Sequence, residues 1–159
     1  MKRVHYSKLA DHPEQGDFNT LRGKPFTGVA YDDEPDGRVT VEWTYRDGVL
    51  WGPRRIWAWS GRPQGSAYFV RGVLHGVCRG TYNSGPKEGV SVYQYGICVR
   101  RKRWGLDGQL KEDFTLREDS EEFKELRERE AKYRELFAAE PIPPEFLILA
   151  PEDWDDPLV

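Results

Sequence analysis

Four aromatic or leucine anchors set the frame of this chain: Leu21, Tyr45, Phe69 and Tyr93 stand 24 residues apart, and Leu116 follows 23 later. Each of the first four precedes a turn, reading LRG, YRDG, FVRG and YQYG. The turn glycines Gly23, Gly48, Gly72 and Gly96 keep the same beat, at spacings of 25, 24 and 24. A second glycine follows in three units, at Gly28, Gly52 and Gly76, and Arg100 takes its place in the fourth. A third set, Gly37, Gly61, Gly85 and Gly108, closes each unit. Such a beat specifies stacked copies of one supersecondary unit, none able to bury its own apolar face. It favours a scaffold that presents a surface over a pocket assembled for chemistry.

The unit is a strand unit. Val39, Val41, Trp43 and Tyr45 alternate with Thr40, Glu42 and Thr44, the period of a half-buried strand. DG and SG turns supply the positive φ that tight hairpins require. Residues 21–117 are therefore expected to form a four-unit antiparallel array of β-hairpins, making the protein mainly β. Leu and Ile are scarce, so six Trp, eight Tyr and seven Phe must supply much of the burial. Aligned on the anchors, Phe114 and Leu116 repeat Trp43 and Tyr45, whereas the middle units carry Ala67 and Ser91 at the Trp43 position. One sheet face thus runs from bulky to small to bulky, either as simple taper or as a shallow groove over the middle units.

The flanks differ in charge. Residues 1–117 carry 19 Lys+Arg against 13 Asp+Glu, a balance of +6, and residues 118–159 carry 5 against 14, a balance of −9. Opposite signs allow the acidic appendage to fold back or to offer a second surface. Residues 1–20 read as a cap or an edge strand on the first unit, because open sheets need their ends covered. Residues 118–140 hold a helix, read over 119–140, with Asp119 and Glu122 resembling a capping box and Ser120 as an alternative cap. Phe123, Leu126, Tyr133, Leu136 and Phe137 form its apolar stripe, and Glu128–Lys132 and Glu130–Arg134 are favourable pairs. Pro141, Pro143 and Pro144 end the helix, and residues 141–159 form an acidic, Pro-containing tail. Within the tail, residues 146–149 are expected to add an edge strand or fill a groove, and the EDWDDPLV end to be mobile. No signal peptide is expected, and the longest apolar run, residues 146–150, is too short to span a bilayer. Cys78 and Cys98 fall in neighbouring units and read as buried, reduced thiols rather than a disulfide framework.

Three stretches resemble the bacterial variant of the MORN repeat, as found in the YwqK-like antitoxin family: GKPFTGVAY at 23–31, GVLHG at 72–76 and YGICVRRKRWGLDGQL at 95–110. The N-terminal KRVHY is similar to the leader of actinobacterial members, and the resemblance covers about residues 2–117. It implies a cytoplasmic, non-enzymatic protein of β-hairpin repeats that binds and neutralises a cognate toxin. The pattern's tryptophan four residues before the turn glycine is present at Trp57 and Trp104, but Thr81 and Asp33 replace it in the third and first units. The third unit, GVCRGTYNSGPKEG at 76–89, departs furthest.

Side chains suited to catalysis or metal binding are sparse in the sequence pattern. His5, His12 and His75 accompany no nucleophile motif, and His75 in GVLHG reads as a turn or packing residue. Neither cysteine has a metal spacing. Asp32, Asp33, Glu34 and Asp36 crowd the first long turn, where calcium is conceivable, but the alternating ligand spacing of an EF-hand is missing. No cofactor is expected, and an enzyme is not. The candidate partner-binding residues are Trp51, Arg54, Arg55, Trp57 and Trp59, with Arg100, Arg101, Lys102, Arg103 and Trp104. Tryptophan and arginine are enriched where interfaces concentrate their energy. The alternative for the tryptophans is core, with Trp57 and Trp59 sharing a strand parity and hence a face. For the 100–103 cluster the alternative is strand alternation, Arg100 and Lys102 on one face and Arg101 and Arg103 on the other, paired with the acidic helix. A protein partner, most concretely a cognate toxin occluded by a preformed sheet surface, is the leading expectation. A MORN-type scaffold or an anionic-lipid-associating module is the second. A net charge of −3 argues against nonspecific nucleic-acid binding.

Overall fold

The computed structural model describes residues 1–16 and 18–147. The strands are β1 (Arg3–His5), β2 (Leu9–Asp11), β3 (Asn19–Leu21), β4 (Lys24–Pro25), β5 (Gly28–Asp33), β6 (Val39–Arg46) and β7 (Val49–Trp57). They continue as β8 (Pro63–Val70), β9 (Val73–Leu74), β10 (Gly76–Thr81), β11 (Lys87–Gln94), β12 (Ile97–Trp104) and β13 (Leu110–Thr115), and one helix, α1 (Glu121–Ala138), follows. Ten strands make one sheet in the order β1-β5-β6-β7-β8-β10-β11-β12-β13, with β9 on β8; β2, β3 and β4 make a small second sheet. Every pairing in the large sheet is antiparallel except β1 with β5. The protein is thus mainly β, a sheet of sequential hairpins with a C-terminal helix.

The repeat is visible as two series of turns. On one edge, Arg22–Gly23, Asp47–Gly48, Arg71–Gly72 and Tyr95–Gly96 all have positive φ at both positions, between 49° and 84°. That is the signature of the primed two-residue hairpin turn, whose twist matches the flanking strands. Neighbouring tips are tied together, because the amides of Gly48, Gly72 and Gly96 donate to the carbonyls of Phe26, Leu50 and Leu74. On the other edge, the amides of Gly37, Gly61, Gly85 and Gly108 each donate to a carbonyl three residues back. Just before these turns the register shifts at Asp33, Trp57, Thr81 and Trp104. The divergent positions of the repeat therefore share one structural role: each is the last paired residue of a long hairpin, beyond a bulge.

The chain covers part of each face of the sheet with its own ends. On one face, Phe26, Ala30 and Tyr45 form a cluster with Val4, Leu9, Leu21, Trp43 and Leu50, so the entry segment caps the first unit there while β1 supplies an edge strand. The other face receives the end of the described chain. Phe146, fully buried, packs its ring 5.3 Å from that of Tyr68 in a cluster with Val70 and Phe137. Residues 144–146 thus fill a groove, in a single helical turn, instead of adding a strand. The rest of the 146–149 expectation and the EDWDDPLV end lie outside the described residues.

The helix begins at Glu121, with Ser120 as its cap: the Ser120 hydroxyl accepts from the Phe123 amide at 3.2 Å. Asp119, the first choice from the sequence, instead pairs with Arg117. Arg134 pairs with Glu130 at 2.8 Å as expected, and Arg129 reaches back to the Tyr95 carbonyl at 2.8 Å. Phe137 and Leu126 are the buried helix residues. Phe137 lies against the rings of His75 and Tyr95, so α1 docks on the tips of the third and fourth units.

Candidate binding face

Register fixes which side chains share a face, since partners on adjacent strands point the same way. One row crosses the sheet at its middle: Trp43 opposite Arg54, Arg54 opposite Ala67, and Ser91 opposite both Cys78 and Arg101, which faces Phe114. A parallel row runs Ile56, Gly65, Gly80, Gly89, Arg103. The bulky-to-small-to-bulky face read from Trp43, Ala67, Ser91 and Phe114 is therefore real, and it forms a groove. A cavity of about 350 Å³ lies over Cys78, Gly80, Gly89 and Ser91, walled by Tyr93, Arg101, Arg103 and Glu88. Its floor is nearly bare backbone.

The groove is electrostatically uneven. Arg101 contacts Glu112 at 3.4 Å and the Tyr93 hydroxyl at 3.4 Å, and Arg103 lies 3.9 Å from Glu88. Arg54, on the same sheet face beside the groove, has no carboxylate partner among the described residues; its guanidinium lies over the Phe69 ring at 5.9 Å, and its Nε is buried without a hydrogen bond. A desolvated, unpaired donor of this kind is costly. Burial pushes the Cys78 thiol up to about 11, so at neutral pH it is a protonated, weakly polar part of the floor rather than a nucleophile. Both cysteines are free.

The ten sequence candidates separate into three settings. Arg101 and Arg103 line the groove, and Arg54 shares its face. Arg55, Arg100 and Lys102 point to the other face, as alternation requires. There Arg55 pairs with Glu145 at 3.2 Å, Arg100 pairs with Asp113, and Lys102 sits opposite Asp113 and Val90. The expected pairing of the cluster with the acidic helix is corrected for its arginines: carboxylates of the adjacent strands pair with Arg100, Arg101 and Arg103, and the C-terminal region engages Arg46 through Glu140 and Arg55 through Glu145. Trp51 packs against the cluster around Tyr68 and Phe146, beneath Arg46 at 4.2 Å. Trp104 packs on Val77, Val90 and Val92 under Lys87.

Trp57 and Trp59 do not share a strand face. The strand ends at Trp57, which is half-buried, and Trp59 belongs to the turn closed by the Ala58 amide on the Arg62 carbonyl. Parity fails because the chain leaves the sheet between them. Trp59 is 72% exposed, stacked under Arg38 at 4.5 Å, and is the most open of the candidate anchors. His75 packs as expected: its Nδ1 accepts from the Tyr95 amide at 3.0 Å, and burial lowers its pKa, keeping the ring neutral.

Sequence reasoning missed two things. Arg54 and Arg55 read as one pair in the sequence, yet adjacent residues on a strand face opposite ways, and register puts Arg54 on the groove's face and Arg55 on the other. His5 accompanies no motif in the sequence, yet β1 brings it against Asp32 and Asp33. No signal short of the parallel β1–β5 pairing joins residues 27 positions apart.

The class defined so far is a sheet of sequential hairpins with a shallow groove over its middle strands. No family model matches the chain, and no curated protein matches it. Among solved structures, a chain of the glycosylation associate protein complex from Streptococcus agalactiae is similar at 16% identity and a TM-score of 0.32, covering 68% of this chain and 24% of that one. The chain therefore spans about a quarter of that structure's length. Among the described residues no helix is long and apolar enough to cross a membrane.

Proposed function

We propose that this chain is a protein-binding module, an antitoxin or immunity protein of the cytoplasm that neutralises a cognate bacterial toxin by occluding it with the open sheet face. One observation carries the reading: Gly65, Gly80 and Gly89 stand in register on three adjacent strands. Glycine weakens a strand interior and marks places where another backbone or a ligand comes close. The row sits beside Arg54, whose buried Nε lacks a partner. A loop of the toxin lying over the glycines and presenting a carboxylate to Arg54 would satisfy both features. The resemblance of residues 2–117 to bacterial MORN variants points the same way. The lipid-associating alternative has less support, since cations 100–103 are divided between two faces and Arg100, Arg101 and Arg103 have carboxylate neighbours.

Gly80 makes the test clean. A Cβ there has nothing closer than Glu88 Oε2 at 3.9 Å. Gly80→Trp should keep the fold, lay an indole over Gly65 and Gly89, and fill the groove. The tagged wild-type protein should capture from its host a protein whose expression alone arrests growth and whose arrest this chain relieves. Gly80→Trp and Arg54→Met, at unchanged melting temperature, should lose capture and relief at least tenfold. Equal capture by both variants would refute the groove as the binding surface, and capture of no growth-arresting protein would refute the toxin.

A further inference from the structure

Away from the groove, the parallel strand β1 carries His5 to the side of β5, where a register shift separates Asp32 from Asp33. His5 Nε2 lies 3.2 Å from Asp32 Oδ1 and 3.4 Å from Asp33 Oδ1, and the three ligand atoms fall within 4.8 Å of one another. We propose that His5, Asp32 and Asp33 bind a divalent transition-metal ion of the zinc type, leaving its fourth position open.

The spacing is the first argument. Zinc–nitrogen and zinc–oxygen bonds are about 2.0–2.1 Å, so neighbouring ligand atoms on a tetrahedron stand about 3.3–3.4 Å apart. Both nitrogen–oxygen separations here match that edge. The second argument is the outer partner of the imidazole. A histidine that ligates through Nε2 carries its proton on Nδ1 and donates it to a neighbour that fixes the ring. Ser7 Oγ lies 2.7 Å from His5 Nδ1 and can accept that proton once the Ser7 amide, which donates to Nδ1 at 3.2 Å without the ion, turns away. The Asp33 amide donates to Asp32 Oδ1 at 3.1 Å and orients that carboxylate. One nitrogen and two carboxylates suit zinc, cobalt or manganese; calcium needs six to eight oxygens. The three side chains are 30–51% exposed, which leaves a path for the ion and for water or a partner's donor group at the fourth position. A bound ion would staple the entry strand to the first hairpin.

The test uses metal-stripped protein. Cobalt(II) titration should give the visible absorption of a tetrahedral site, displaced by zinc, and zinc should raise the melting temperature in a concentration-dependent way. His5→Gln and Asp33→Asn, each folded by melting without metal, should weaken cobalt binding at least tenfold. A melting temperature that ignores zinc, a cobalt spectrum of a hydrated octahedral ion, or equal affinity in His5→Gln would each overturn the site. A melting temperature that follows pH but not zinc would leave an ordinary histidine–carboxylate pair.

Discussion

Gly76 tests how the end of the chain is held to the sheet. Its φ is +104°, and a Cβ at this position would stand 2.4 Å from the carbonyl oxygen of Phe146, a backbone atom that no rotamer change can move. Gly76→Ala therefore adds two costs. Holding a side chain at that φ costs about 1–3 kcal/mol. Relieving the clash requires the 144–146 turn to lift away, which exposes the fully buried Phe146 ring; losing such a ring costs about 3–5 kcal/mol. The sum is about 4–8 kcal/mol. Gly52 is the internal control, at φ +117° with only the Thr44 side chain, at 3.0 Å, in the way. Gly52→Ala should cost chiefly the backbone part. Denaturant melts of Gly76→Ala, Phe146→Ala and the double variant form the assay. In the Phe146→Ala background the seat is already lost, so Gly76→Ala should then cost only the backbone part of about 1–3 kcal/mol. Additive single effects would refute the claim that Gly76 exists to admit the Phe146 carbonyl.

Two further outcomes follow from the same contacts. His75 is buried and its pKa is lowered, so between its folded and unfolded values the native state binds fewer protons than the unfolded chain. Its contribution is therefore fully present above about pH 6.5 and lost as pH falls below that value. The melting temperature should drop between pH 7 and pH 5, and His75→Asn, which keeps an acceptor for the Tyr95 amide, should flatten that slope; an unchanged slope would exclude His75 as its origin. Gly80→Ala should gain about 0.5–1 kcal/mol in a urea melt because its Cβ meets only the Glu88 carboxylate, at an unstrained 3.9 Å. Gly89→Ala, whose Cβ meets the Lys102 carbonyl at 3.3 Å, should gain less, and a loss at Gly80 would show that the groove floor is already filled.

The repeat was legible because its turns are local. Positive φ at Gly48 or Gly72 is decided by four residues, and the glycine beat records it directly. The small face over the middle units was legible for a related reason: equivalent positions 24 apart fall in one row of the sheet. What failed to show depends on contacts across the fold. Trp59 shares parity with Trp57 in sequence, but the Ala58–Arg62 hydrogen bond takes the chain out of the sheet one residue earlier. Arg100 and Arg101 find their carboxylates on β13 rather than on α1, because strand pairing brings Asp113 and Glu112 within reach at every register step. The helix cap moved by one residue for a local reason: Arg117 pairs with Asp119 and leaves Ser120 to cap.

The described ends of the chain each cover one part of the sheet. A single sheet must cover two faces, and this one uses the entry segment over Ala30 and Tyr45 on one face and the Phe146 turn over Tyr68 on the other. Both covers meet bulky aromatic side chains, as burial demands. Away from these two clusters, the middle strands carry Gly65, Gly80, Gly89, Ala67, Cys78 and Ser91 on one face. A face meant only for water would carry threonine, lysine or glutamate, which favour or tolerate an exposed strand; glycine in its place costs about 0.5–1 kcal/mol per position relative to alanine. Three such positions in one row withhold about 1.5–3 kcal/mol from a domain whose whole stability is about 5–15 kcal/mol. Under the proposed function, that row beside the unbonded Nε of Arg54 is the space a partner's backbone would occupy.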